Sequence, residues 1–442
     1  MATLQAIRRN CLLASAALIL CSATPSLLGA DPQFQAQKAK LAPQFQELRT
    51  LTPQVRLQFV GKSQTLRGFY SNKSVPLIVD DINRMSVREP LPPGSYILLS
   101  GPIASTIRHG DQLELAGTIV RPTATDALQL RGEQTVLKLA GAEAIKVVRP
   151  SVLRPVAAIN PAITQQLVAA SSKSRLKIEA LRLKFDPAWL KKPTHYAVLI
   201  NGGINFANYW VSFYNDLVVD YNMLLGRGYL PANIFVLNAN GGGAPPGTTP
   251  CGSIPVHYAA TSANVTKVFN DLTTKILPQD TLTVMITDHG GTGLICLWGE
   301  NMPGATFGAL VNQIKNYSQM TFSFDLCHAA GLIPSVRGAN RIIYAACYAD
   351  KSAYDNKDYH FGALNFAVVS ALTGLPPVGP AVNADANGDG AVSLAEGFNY
   401  IRLHMNSGGT QTPHYEDDAL APDATAQLPS GPNGVFGLGR FL

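Results

Sequence analysis

Leu282-Thr283-Val284-Met285-Ile286-Thr287-Asp288-His289-Gly290-Gly291 joins an apolar segment of strand length to a polar loop closed by two glycines. The pattern recurs at Thr321-Phe-Ser-Phe-Asp325, followed by Leu326-Cys327-His328-Ala329-Ala330-Gly331. Working outward, short apolar strands stand at 196–200, 234–237 and 342–345. Between the strands, apolar residues repeat at helical spacing. They are Leu217, Val218, Tyr221, Leu224 and Leu225 before Gly226 and Gly228; then Val265, Val268, Phe269, Leu272 and Ile276, with Ser262 as the expected cap; then Phe307, Leu310, Val311 and Ile314. Strands alternating with helices predict an α/β fold with a mainly parallel sheet covered on both faces. Sites in such sheets lie just beyond the carboxyl ends of the strands, where both loops fall.

The two loops carry complementary chemistry. A thiolate is a strong nucleophile when a neighbouring imidazole takes its proton or stabilises its charge, which makes Cys327 and His289 a candidate catalytic pair. Gly290 and Gly291 leave room for main-chain N–H groups to face a developing oxyanion. Taken singly, a histidine or cysteine at a strand end is usually a packed loop residue, so the pairing carries the inference.

These residues resemble the legumain family of cysteine peptidases, which shares its fold with the caspases. The similarity spans 194–358. It rests on Ile286-Thr287-Asp288-His289-Gly290, on Phe324-Asp325-Leu326-Cys327, on His195-Tyr196-Ala197-Val198 and on Asn208-Tyr209. The strand Ile343-Tyr344-Ala345-Ala346, followed by Asp350-Lys351-Ser352-Ala353-Tyr354, is similar to the family's substrate-binding strand. The resemblance implies that Cys327 attacks the scissile carbonyl. His289 then protonates the leaving amine, Asn208 orients the imidazole, and the Gly290 and Cys327 amides hold the oxyanion. Trp210, Asp350 and Ser352 become candidate substrate contacts. Trp210 and Val211 replace the family's Arg-His, so the pocket is expected to be apolar and not asparaginyl-specific. The loop after Cys327 is one residue longer than usual, and His328 is expected to be a bystander.

Asp385-Ala-Asn387-Gly-Asp389-Gly390-Ala391-Val-Ser393-Leu-Ala-Glu396 fits the EF-hand calcium loop. Asp385, Asn387, Asp389, the Ala391 carbonyl and Glu396 would supply oxygen ligands, with Ser393 direct or through water. Gly390 suits the turn, and Leu394, Phe398 and Ile401 suit the exiting helix. Pro376, Pro377 and Pro380 leave no entering helix, so the expectation is one structural Ca²⁺ site.

The rest of the 442 residues frames this domain. Arg8 and Arg9, the apolar run from Cys11 to Cys21 and the small residues before Asp31 read as a signal peptide over 1–30, hence secretion or a periplasmic location. That run is too short to span a membrane as a stable helix. Residues 31–150 read as an all-β barrel or sandwich. Val55, Leu57 and Phe59 alternate with polar residues, as do Leu113 and Leu115 around Glu114, and Val136, Leu137 and Leu139 around Lys138; Gly110 and Gly132 fall at turns. No catalytic constellation is evident there. A linker is expected over 151–193, the peptidase domain over 194–405 and a tail over 406–442. A net charge of +6, without runs of Lys and Arg, argues against nucleic acid and leaves a peptide or protein as partner. Of the cysteines beyond the signal, Cys251 and Cys296 are the candidate disulfide, and Cys347 is expected to be buried and inert. The expected activity is that of an exported cysteine endopeptidase. A transpeptidase using the same acyl-enzyme, an inactive caspase-like binding scaffold and a calcium-dependent adhesion module stay open.

Overall fold

The computed structural model describes residues 46–47, 53–92, 94–122, 135–151, 159–185, 192–356, 360–405, 407, 410–417 and 440–442. The expected signal peptide and Gly132 lie outside them.

The first unit is a closed barrel. Its strands are β1 (Gln46–Glu47), β2 (Ser63–Ser71), β3 (Leu77–Val79), β4 (Tyr96–Ser100), β5 (Gln112–Val120), β6 (Val136–Leu139) and β7 (Ile145–Arg149). They pair in the order β1-β2-β3-β4-β6-β5-β7, and a further β2–β5 pairing closes a ring of five. Leu113, Leu115 and Ile119 of β5 point inward with Leu66, Ile78, Ile97 and Leu137. That is the result of period-two alternation. One expected strand is different: α1 (Pro53–Leu57) is a helical turn. Its Arg56 is buried and donates to the Gly94 carbonyl, a long-range bond that alternation cannot reveal.

The second unit contains β8 (His195–Asn201), β9 (Ile234–Asn238), β10 (Thr281–Thr287), β14 (Gln319–Asp325), β15 (Arg341–Ala345) and β16 (His414–Asp417). They form one sheet in the order β16-β15-β14-β10-β8-β9. All neighbours are parallel except β16, which runs antiparallel to β15. Every residue of β10 and β14 is buried, as a sheet covered on both faces requires. The helices are α2 (Ile163–Lys173), α3 (Arg175–Phe185), α4 (Val211–Gly226), α5 (Ser262–Lys275), α6 (Gly304–Val311), α7 (Ile333–Val336), α8 (Ala363–Thr373) and α9 (Leu394–His404). A small meander of β11 (Gly290–Gly291), β12 (Leu294–Leu297) and β13 (Glu300–Pro303) follows β10. Thr261, not Ser262, caps α5, accepting from the Asn264 N–H at 3.4 Å.

Two boundaries move. Ile163 and Leu167, in the expected linker, belong to the core of the α/β unit. The expected tail supplies edge strand β16, and Phe441 is buried with its carbonyl accepting from Arg182 at 2.9 Å. Cys251 and Cys296 are not bridged; Cys251, Cys296, Cys327 and Cys347 are all free and buried. The Cys251 thiol faces the Asn215 carbonyl on α4, whereas Cys296 sits in β12 opposite Asn301.

Candidate active site

His289 and Cys327 follow the adjacent strands β10 and β14, whose register pairs Thr287 with Asp325. The loop after β10 is anchored by Asp288. Its carboxylate accepts from Gly202 N at 2.6 Å, Gly203 N at 3.0 Å and His289 N at 2.6 Å. Burial still pushes the Asp288 carboxyl up to about 7. The Gly290 α-carbon is packed on the Cys327 main chain: a β-carbon there would lie 2.3 Å from the Cys327 carbonyl oxygen.

The His289 imidazole is held edge-on against Trp210 and Phe213, each with ring centroids 4.9 Å from it. Its Nε2 meets the Asn208 main-chain carbonyl at 2.9 Å, and its Nδ1 meets the Arg88 carbonyl at 2.9 Å. Asn208 thus touches the ring through its backbone. Its side chain is engaged elsewhere, accepting from Leu91 N at 2.7 Å and donating to Asn205 Oδ1 at 3.0 Å. A neutral ring donates to only one of the two carbonyls. Burial nevertheless holds the His289 pKa at about 4, with Arg88 also lowering it and Asp355 opposing.

Cys327 is fully buried; its Sγ accepts from Ala353 N at 3.2 Å, and burial raises the thiol pKa well above its ordinary value. His328 adopts a left-handed backbone, φ 60°, with Nδ1 on the Ala349 carbonyl at 2.9 Å. Cys347 directs its thiol to the Lys351 carbonyl at 3.1 Å.

The cleft is filled by a segment of the barrel unit. Val87 bridges Tyr354 in antiparallel fashion, Arg88 N donates to the Ala353 carbonyl at 3.0 Å, and Asp355 N donates to the Ser86 carbonyl at 3.1 Å. Residues 86–88 thus extend Ala353–Asp355 as an added strand. The chain then passes Glu89, which is hydrogen-bonded to the Ser352 hydroxyl, and reaches Leu91 at Asn208.

The Arg88 side chain enters a closed acidic pocket. Its Nε donates to Asp355 Oδ1 at 2.9 Å, Nη1 to Thr287 Oγ1 at 3.0 Å and to the Asp325 carbonyl at 2.9 Å, and Nη2 to Asp216 Oδ2 at 2.7 Å. The Asp325 carboxylate lies 3.4 Å away, and the Phe213 ring faces the guanidinium at 4.8 Å. Gly362 leaves the space: a β-carbon there would be 2.5 Å from Arg88 Cζ. Burial raises Asp216 to about 7 despite Arg88. Lys73, also from the barrel unit, pairs with Asp355 and lies 4.4 Å over the Trp210 ring.

The space that Arg88 occupies is thus acidic, lined by Asp216, Asp325 and Asp355, with Phe213 on one face. Trp210 braces the histidine, Ser352 meets the covering segment, and Asp350 is outside, exposed and paired with Lys351 at 3.1 Å. Arg88, Asp216 and Asp355 were missed. Two aspartates on a largely apolar helix, Asp216 and Asp220 of α4, were the available signal.

In the calcium-type loop, Asp385 accepts from Gly388 N at 2.8 Å and Gly390 N at 2.9 Å. Asn387 accepts from Asp389 N at 2.8 Å, Asp389 from Ala391 N at 3.0 Å, and Glu396 from Asn387 N at 3.0 Å and Ser393 N at 2.9 Å. Gly390 takes φ 86°, as the motif's turn requires. Among the described residues no group of three or more His, Cys, Asp and Glu side chains is gathered to hold a metal. The Ala391 site residue is buried beneath Ile178 and Phe441.

Two buried histidines, His289 and His414, have pKa values lowered to about 4 by burial. Each adds stability that is present above the unfolded value of about 6.5 and is lost as pH falls toward 4. Asp216 and Asp288, raised by burial to about 7, act with the opposite sign over the same window. His414→Gln should therefore gain stability relative to wild type as pH falls from 6.5 to 4, by about 1.4 kcal/mol per pH unit, when thermal unfolding of the two proteins is compared. A difference between them that does not change with pH would contradict it.

No protein-family model matches this chain, and no curated protein matches it. Among solved structures, it is similar to protein GSU0716 from Geobacter sulfurreducens, with 12% identity and a TM-score of 0.35, over 50% of this chain and 92% of that one. A likeness that loose carries no argument about fold or function. Among the described residues no helix is long and apolar enough to cross a membrane.

Proposed function

We propose that the protein is a cysteine endopeptidase with a caspase-like α/β domain, in which Cys327 and His289 form the catalytic dyad. The observation that carries this reading is a peptide carbonyl, that of Arg88, held on His289, which lies two residues past the end of β10, with Cys327 two residues past the end of the neighbouring parallel strand β14. The sheet order, with five parallel strands and one antiparallel edge strand, supports the caspase-like assignment.

In the proposed reaction the Cys327 thiol passes its proton to His289 as its sulfur bonds to the scissile carbonyl carbon. The C–N bond then breaks, and the amine leaves with a proton from His289. Water, deprotonated by His289, splits the thioester to a carboxylate and the free thiol. The Asn208 carbonyl on Nε2 keeps Nδ1 turned toward the substrate. Amides near Gly290 and Cys327 would hold the oxyanion. Because 86–91 covers the dyad, the test uses full-length Arg88→Ala with peptidyl acyloxymethyl ketones carrying several different side chains. Label on Cys327 that disappears when His289→Ala is added supports the dyad. Folded protein that no ketone labels at Cys327 removes it.

The 385–396 loop is proposed as a structural Ca²⁺ site. Its donors are hard oxygens on one closed turn, and Glu396 already reaches back to the loop's start. Calcium would draw these oxygens from the amides they now accept from. Millimolar Ca²⁺ should raise Tm, with a gain of about 2.7 kcal/mol at free Ca²⁺ a hundred times Kd, and Asp385→Ala should erase the shift. Unchanged Tm in wild-type protein would refute the site. Export by a signal over 1–30 stays part of the proposal.

A further inference from the structure

We propose that Ser86-Val87-Arg88-Glu89 is an internal substrate mimic that keeps the enzyme latent, and that the pocket it fills selects arginine on the acyl side of the cleaved bond. This rests on the dyad reading above.

Three independent features point the same way. The backbone of 86–88 is added as a strand to Ala353–Asp355, so its register is fixed by main-chain bonds that any extended peptide could make. The register places the Arg88 carbonyl on His289 Nδ1, and Ala353, which takes the Arg88 N–H, also donates to Cys327 Sγ. The bond presented to the dyad is therefore Arg88–Glu89. A buried arginine with a purely architectural role has no need to present its carbonyl to a histidine while its own N–H is held by the residue that donates to Cys327 Sγ.

The pocket is built for a guanidinium. Its acceptors lie in three directions: Asp355 at Nε, Thr287 and the Asp325 carbonyl at Nη1, and Asp216 at Nη2. A planar fork meets all of them, whereas a lysine ammonium is a single point of charge on a different stem. Among the described residues, the ion pairs of Asp216, Asp325 and Asp355 are all with Arg88 and Lys73, and both cations come from the barrel unit. When 86–89 withdraws, Asp355 keeps Lys73, while the buried carboxylates of Asp216 and Asp325 lose the cation they pair with. An incoming arginine side chain restores the pairing, and Gly362 provides its space.

Latency follows from the same contacts. The segment shuts water from Cys327 and His289, raising the thiol and lowering the imidazole, so the thiolate–imidazolium pair does not form beneath it.

The test compares full-length wild type and Arg88→Ala, reacted with peptidyl acyloxymethyl ketones ending in arginine, lysine, alanine or asparagine, with the label mapped by mass spectrometry. The arginine ketone should label Cys327 of Arg88→Ala about 100-fold faster than wild type, and about 100-fold faster than the alanine ketone does, with lysine between. Labelling of the variant without preference for arginine overturns the pocket assignment while leaving the dyad intact. Equal rates in wild type and variant overturn latency. No label on Cys327 of the folded variant from any ketone removes the dyad reading itself. Should Arg88→Ala not fold, Arg88→Lys keeps one cation in the pocket and is read by the same comparisons.

Discussion

Cys327→Ala, made in protein freed of its covering segment by Arg88→Ala, is expected to lose peptide hydrolysis by at least about 10,000-fold with its fold intact. The chemistry needs a sulfur that can bond to a carbonyl carbon and later leave. Alanine offers no atom for either step, and no neighbouring thiol is placed to substitute: Cys347 is turned to the carbonyls of Leu326 and Lys351. His289→Ala removes the proton donor and acceptor and should cost about 100- to 10,000-fold. Because the two act as a unit, the double variant should be scarcely worse than Cys327→Ala alone. The check is hydrolysis of fluorogenic peptides with each variant's thermal unfolding measured alongside. Retention of activity in Cys327→Ala at the level of the parent would exclude it as nucleophile.

Gly290→Ala is expected to damage both stability and the geometry of the site. The added carbon would lie 2.3 Å from the Cys327 carbonyl oxygen, 2.5 Å from Leu326 Cδ1 and 3.1 Å from Cys327 N. Two of those atoms are backbone, so the loop bearing Cys327 or the loop bearing His289 must move. A stability loss of about 3 kcal/mol is the expected scale for overpacking that the chain relieves only by backbone shifts. Misplacement of the two loops should separately cost about 100-fold in kcat, since an ångström matters in positioning reacting groups. Gly243→Ala is the control: its new carbon would make an ordinary 3.7 Å contact with Tyr214 Oη. Thermal unfolding and kcat measured on both should separate them clearly. Equal behaviour would mean that the loops are not packed as described.

Much of the α/β unit was legible because its signals are local. The apolar runs of β8, β10 and β14 and the helical spacing in α4 and α5 each lie within one segment. Burial on both faces forces continuous apolar strands, and those strands put His289 and Cys327 at the same sheet edge. The turn at 385–396 is local in the same way, its Asp, Asn, Gly and Glu being spaced along twelve consecutive residues. Asp325 was visible within the strand motif, but its partner was not.

Sequence by itself determined the alternation of strands and helices, the two loops and the calcium-type turn, since periodicity and glycine placement act over a few residues. Tertiary structure alone decided the pocket. Arg88 meets Asp216, Asp325 and Asp355, residues between 128 and 267 positions away along the chain. Nothing in the barrel's alternation marks 86–91 as the segment that fills a cleft in the other unit. It also turned 53–57 from expected strand to helix, and 414–417 from tail to edge strand. The physical reason is common to all three. Each is fixed by hydrogen bonds and charges satisfied across long loops, where the cost of a buried, unpaired group outweighs the local preference of the segment that supplies its partner.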